Sequence, residues 1–74
     1  MLWMIYSNEH KGWWRAARRG YTNSVLNAGE YSEAEAREIC ADANKHGTLA
    51  NGDQFEVMHP SVMPDFVRAV SGTA

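Results

Sequence analysis

The stretch "SNEHKGWW", Ser7 to Trp14, places a carboxylate, an imidazole, an amine and two adjacent indoles within eight positions. Glu9 and His10 are the residue types of general acid–base chemistry, and with further donors they would hold a metal ion. Those donors are missing. Neither H-x-x-x-H nor H-x-x-E-H occurs, and His46 and His59 stand alone along the chain. Cys40 is the single cysteine, which leaves no internal disulfide and no cysteine-rich zinc site. It falls in the middle of an expected helix, where a buried thiol is the ordinary outcome and nothing basic activates it as a nucleophile. There is no Gly-rich phosphate loop and no G-x-S-x-G. The expectation is a non-enzymatic chain with no catalytic, cofactor-binding or metal-binding residues, in which "NEHKG" serves as a hairpin turn.

The elements that would carry these residues form a small α+β domain. Seventy-four residues leave room for one hydrophobic core and a thin margin of stability, so a partner or a second copy is a natural aid. Residues 2–7 read as a strand, and residues 13–18 as the returning strand, with a continuation towards Thr22 past Gly20. "NSVLNAG" reads as one helical turn closed by Gly29. Ser32 and Glu35 form a capping box, with Tyr31 packing on Ala36 as a staple. The helix then runs over 33–45, with Ala36, Ile39, Cys40 and Ala43 as its apolar stripe and Gly47 as its stop. Residues 54–59 alternate as a third strand, Phe55 and Val57 on one side and Gln54, Glu56 and Met58 on the other, with Pro60 ending it. Pro64 opens a short helix over 64–70. The expected architecture is β-β-α-β: a three-stranded antiparallel sheet in order 2-1-3, packed on one main helix, plus the short C-terminal helix.

Strand neighbours point to opposite faces, so Trp13 and Trp14 cannot both lie under the main helix. Leu2, Met4 and Tyr6 likewise oppose Trp3 and Ile5. The sheet therefore has two apolar faces and one long helix. Three covers suit the second face: the short helix, a second copy of the chain as a homodimer, or a foreign partner.

Charge is segregated. Residues 1–19 carry Lys11, Arg15, Arg18 and Arg19 against Glu9, while residues 30–56 carry Glu30, Glu33, Glu35, Glu38, Asp42, Asp53 and Glu56 against Arg37 and Lys45. Such asymmetry bears on partners more than on fold. One reading of Glu30, Glu33, Glu35, Glu38 and Asp42 is a solvated helix face with a Glu33–Arg37 pair. The other is a negative surface that meets basic residues of a partner, with Trp13 and Arg15 as an aromatic anchor and its charged neighbour. Arg15, Arg18 and Arg19 beside the tryptophans also suit single-stranded nucleic acid, a weaker case for a chain of net charge −2.

Taken together, "YSNEHKGWW", "RGYT" and "AGEYSEAEA" resemble short phage- and prophage-encoded proteins of the pattern W-S-x-E-H-x-x-W-W … G-Y-T … A-G-x-Y-[ST]-x-x-E-A. The match covers residues 3 to 44, and Trp3 stands further from Ser7 than that pattern has it. The resemblance implies a phage origin and a cytoplasmic location in a bacterial host. It also implies the class of anti-CRISPR inhibitors, which bind a CRISPR effector complex and block its access to DNA. It carries over no catalytic or binding residues. No run approaches the roughly 18 apolar residues of a membrane span, so a membrane partner is not expected.

Overall fold

The computed structural model describes residues 1–62. The order of elements is β1 (Trp3–Ser7), β2 (Gly12–Trp14), β3 (Tyr21–Thr22), α1 (Glu33–Asn44) and β4 (Glu56–Pro60). Single 3-10 turns lie at Ala16–Arg18 and Val25–Asn27. The strands form one antiparallel sheet in the order β3-β2-β1-β4. The expected 2-1-3 arrangement is present as β2-β1-β4, and a fourth strand lies outside it. The expected helix over 64–70 lies outside the described residues.

The fourth strand arises because the returning strand stops at Trp14 instead of running over 13–18. The segment "RAAR" has neither the alternation nor the β-branched residues of a strand. Instead Arg15 N–H donates to Gly20 O at 2.8 Å and closes a loop. Ala17 and Arg18 sit in the left-handed region with φ of 57° and 58°. Tyr21 and Thr22 then pair back onto Trp14 and Trp13. The first hairpin is also tighter than expected. Ser7 pairs with Gly12, so the loop is Asn8 to Lys11, with Lys11 at φ 55°.

Helix α1 follows its local signals. Ser32 caps it by accepting from Glu35 N–H at 3.1 Å, and Lys45 is the C-cap. The stripe Ala36, Ile39 and Cys40 is buried and packs with Ile5 and Tyr31 as the core, against which Trp3, Trp14 and Met58 lean. Tyr31 is fastened to β1 by reciprocal 2.8 Å backbone bonds with Trp3. Strand β4 is an edge strand, which is why Pro60 closes it without breaking a ladder on its outer side.

Register decides the faces. Ile5 pairs with Met58 and Ser7 with Glu56, so Trp3, Ile5, Ser7, Trp14, Glu56 and Met58 face α1. The opposite face carries Met4, Tyr6, Trp13, Val57 and His59. There Trp13 meets the Tyr6 ring edge-on at 5.0 Å and the His59 ring at 5.6 Å. That face is not bare. Met4 is buried, Tyr6, Trp13 and Val57 are half-buried, and only His59 is exposed.

Candidate functional site

The acidic residues singled out in the sequence do not form one patch. Glu33, Glu35, Glu38 and Asp42 are exposed on α1, but Glu30 precedes the helix, is half-buried and accepts a hydrogen bond from the Ser61 hydroxyl. Three of the four helix carboxylates hold cations: Glu33 pairs with Arg37, Glu35 with Arg18 at 3.8 Å, and Asp42 with Lys45 at 3.0 Å. Glu38 makes no ion pair among the described residues. It lines a groove of about 260 Å³ with Trp14, Arg18, Ile39, Asp42 and Ala43. Arg15 donates from Nε to Tyr21 O at 3.3 Å. Trp13 lies on the sheet face turned away from α1. The aromatic anchor and the acidic row therefore occupy different sides of the molecule.

The loop presenting Arg15, Arg18 and Arg19 is held by two neighbours. The Tyr31 hydroxyl donates to Arg15 O and accepts from Arg18 N–H, the latter at 3.1 Å. Gly29 lies against the same loop and donates to Trp14 O at 2.8 Å. Two consecutive non-glycine residues at positive φ cost roughly 1–3 kcal/mol each, so these contacts must over-determine the loop. Tyr31→Phe keeps the buried ring and removes both bonds. The expected result is a loss of about 1–2 kcal/mol, read as a fall in melting temperature of roughly 4–16 °C, with faster amide exchange confined to the Arg15–Gly20 loop.

The residue that sequence reasoning placed on the polar side of its strand is the most enclosed charge in the described structure. Glu56 is 3% exposed. Its Oε1 accepts from the Ser7 hydroxyl at 3.0 Å and its Oε2 from Trp14 Nε1 at 2.8 Å. Ser7 Oγ in turn accepts from His10 N–H at 3.0 Å. The Asn44 side chain clasps the Glu56 backbone, donating to its carbonyl at 2.8 Å and accepting from its N–H at 3.0 Å. Glu56 makes no ion pair among the described residues. Burial raises its pKa above the ordinary carboxylate value. The bonds from Trp14 and Ser7 and the nearby His10 oppose that rise, and Glu9 adds to it. No local pattern announces this role, because alternation shows that Glu56 and Val57 differ in facing but not which of them turns inward.

Around Glu56 lies a cavity of about 290 Å³ lined by Glu9, Trp14, Tyr21, Ala43, Phe55 and Glu56. The Trp14 and Tyr21 rings stand nearly perpendicular, at 85° and 5.8 Å between centroids. His10 stacks on Tyr21 at 4.2 Å and 19°, and its Nε2 lies 3.4 Å from Glu9 Oε1. Burial first, then the charges of Glu56 and Glu9, raise the Tyr21 pKa. Glu9 and His10, read from the sequence as turn residues, do lie in the turn, and the turn forms one rim of this cavity. Cys40 is buried, and burial followed by the Glu56 charge raises its thiol pKa, which is the opposite of nucleophile activation. Among the described residues no group of three His, Cys, Asp or Glu side chains is placed to hold a metal ion, and no helix is long and apolar enough to cross a membrane.

Comparison of the chain with protein-family models, with curated proteins and with solved structures gave no match.

Proposed function

We propose that this chain is a non-enzymatic, phage-type binding protein of the anti-CRISPR kind, whose α1 carboxylates occupy a Lys/Arg surface on which a CRISPR effector complex receives its target DNA. The observation that supports the reading is the segregation of charge on α1. The helix buries Ala36, Ile39 and Cys40 and exposes Glu33, Glu35, Glu38 and Asp42 against a single guanidinium, Arg37. The ion pairs these carboxylates make are exposed contacts worth about 0–1 kcal/mol each, so a partner's cations can replace them at small cost. Complementary potential of this sort speeds encounter and selects the partner more than it adds raw affinity. The resemblance of residues 3–44 to phage-encoded proteins supplies the biological setting.

Direct binding of single-stranded nucleic acid draws less support. Trp13 projects to the face opposite α1 while Arg18 lies beside Glu35 of that helix, so the ring and this cation do not share one surface. The test is a DNA-binding assay on purified CRISPR effector complexes with the chain present. Inhibition of target binding is expected from the native chain, along with its loss in the Glu35→Lys, Glu38→Lys, Asp42→Lys triple variant. Inhibition that survives the triple reversal would sink the electrostatic mechanism. An absence of inhibition across effector subtypes would sink the assignment.

A further inference from the structure

We infer that the cavity between β2, β3 and the start of β4 is a binding site for a methylated ammonium group. Three aromatic residues, Trp14, Tyr21 and Phe55, and two carboxylates, Glu9 and Glu56, line it, with no cationic side chain among its walls. The near-perpendicular Trp14 and Tyr21 rings make two sides of a box; His10 stacks on one face of Tyr21, and the remaining π-faces of such rings attract a desolvated cation. Glu56 supplies the independent observation. A carboxylate 3% exposed ordinarily has a cation beside it, whereas among the described residues this one forms no ion pair: its oxygens accept from the neutral Ser7 hydroxyl and Trp14 indole, and its basic neighbour is His10 on the cavity rim. A bound cation would complete that charge balance.

The same geometry rules on other ligands. Two carboxylates disfavour anions. Purely apolar groups would leave Glu56 uncompensated. A divalent metal wants several oxygen donors in place of rings, and the described residues offer no such set. At about 290 Å³ the cavity falls just below the roughly 300–1,000 Å³ of drug-sized pockets, which suits one headgroup or one side-chain tip. Glu56 acts here in two ways: its negative charge lines the cavity, and its bond to Nε1 fixes the Trp14 ring plane. Trp14 also borders the groove beside Glu38, but the ammonium site shares none of its charged residues with the acidic row of α1 and does not depend on the function proposed for that row.

The ligand chemistry has two sources, a free quaternary ammonium compound or a trimethylated lysine side chain, and the experiment separates them. Indole N–H resonances of the three tryptophans, assigned with a Trp14→Phe variant, are followed during titration with choline and, in parallel, with a short peptide bearing trimethyl-lysine. The neutral isostere 3,3-dimethylbutanol and sodium chloride serve as controls. Saturable movement of the Trp14 signal is expected with at least one cation, with the isostere binding at least about tenfold more weakly. Choline alone would identify a small-molecule site, and the peptide alone a side-chain site. Glu9→Gln, on an exposed turn, and Tyr21→Ala should each weaken binding several-fold while leaving the circular dichroism of the fold unchanged. The inference is overturned if neither cation moves the Trp14 signal saturably up to about 50 mM, beyond the range of a single cation–π contact. It is overturned equally if the isostere binds as well as the cations, or if both variants bind as the native chain does.

Discussion

Gly29→Ala is expected to be among the most damaging single-methyl additions to this domain. A Cβ at position 29 would stand 2.5 Å from Ala16 N, 2.6 Å from Ala16 Cα and 2.7 Å from Arg15 C, all backbone atoms that no rotamer change can clear. The strained Arg15–Gly20 loop would have to lift away from the 28–31 segment. That movement threatens the Gly29 N–H bond to Trp14 O and the two bonds made by the Tyr31 hydroxyl. Overpacking costs about 1–3 kcal/mol where side chains can yield, and here the upper end or more is expected. For a domain whose whole stability is of order 4–11 kcal/mol, that is a large share. Chemical denaturation should show the midpoint falling with the slope preserved. Gly20→Ala is the informative control. Gly20 has φ 97° but nothing within 4 Å, so its cost is backbone strain alone, about 1–2 kcal/mol. Equal costs at the two positions would show that the loop does not press on Gly29.

Glu56→Ala is expected to destabilise by about 2–4 kcal/mol at neutral pH, because it leaves the Trp14 indole N–H and the Ser7 hydroxyl without their acceptor and opens a void under α1. Glu56→Gln separates charge from shape. It keeps the volume and one acceptor oxygen while abolishing ionisation. Because the folded-state pKa of Glu56 is raised, the folded chain holds its proton more tightly than the unfolded chain does. Stability contributed by this group is therefore fully present below the unfolded pKa of about 4.5 and lost as pH rises through the folded pKa. The stability of Glu56→Gln relative to the native chain should accordingly improve as pH rises from about 4.5 through the raised folded-state pKa and level off above it. Thermal unfolding of both proteins across that range measures the difference directly, with the other titrating groups common to both. A gap that narrows in the opposite sense would mean that the hydrogen bonds outweigh burial and hold the carboxylate ionised.

Local signals made much of the scaffold legible. Ser32 and Glu35 marked the helix start because a cap is a contact between residues three apart. The 3.6 spacing of Ala36, Ile39 and Cys40 marked the buried stripe because helix geometry is fixed. The first hairpin was legible from a short polar loop between apolar runs. The return after Trp14 was not. The left-handed Ala17 and Arg18 are held by Tyr31 and the backbone near Gly29, residues a dozen positions further on. Gly29 itself read as a cap for a helical turn, whereas its lack of a side chain serves a close approach between two backbones.

The sequence by itself determined the capped helix, the pair of indoles sent to opposite sides of a strand and the acidic character of α1. These follow from interactions within a few residues or from the two-residue repeat of a strand. Tertiary structure alone decided that Glu56 turns inward, that it meets Ser7 and Trp14 across 49 and 42 positions, and that Glu9, Tyr21 and Phe55 close around it. Strand alternation is symmetric between the two faces, so only the register of β4 against β1 and the side on which α1 lies can choose which face holds the charge.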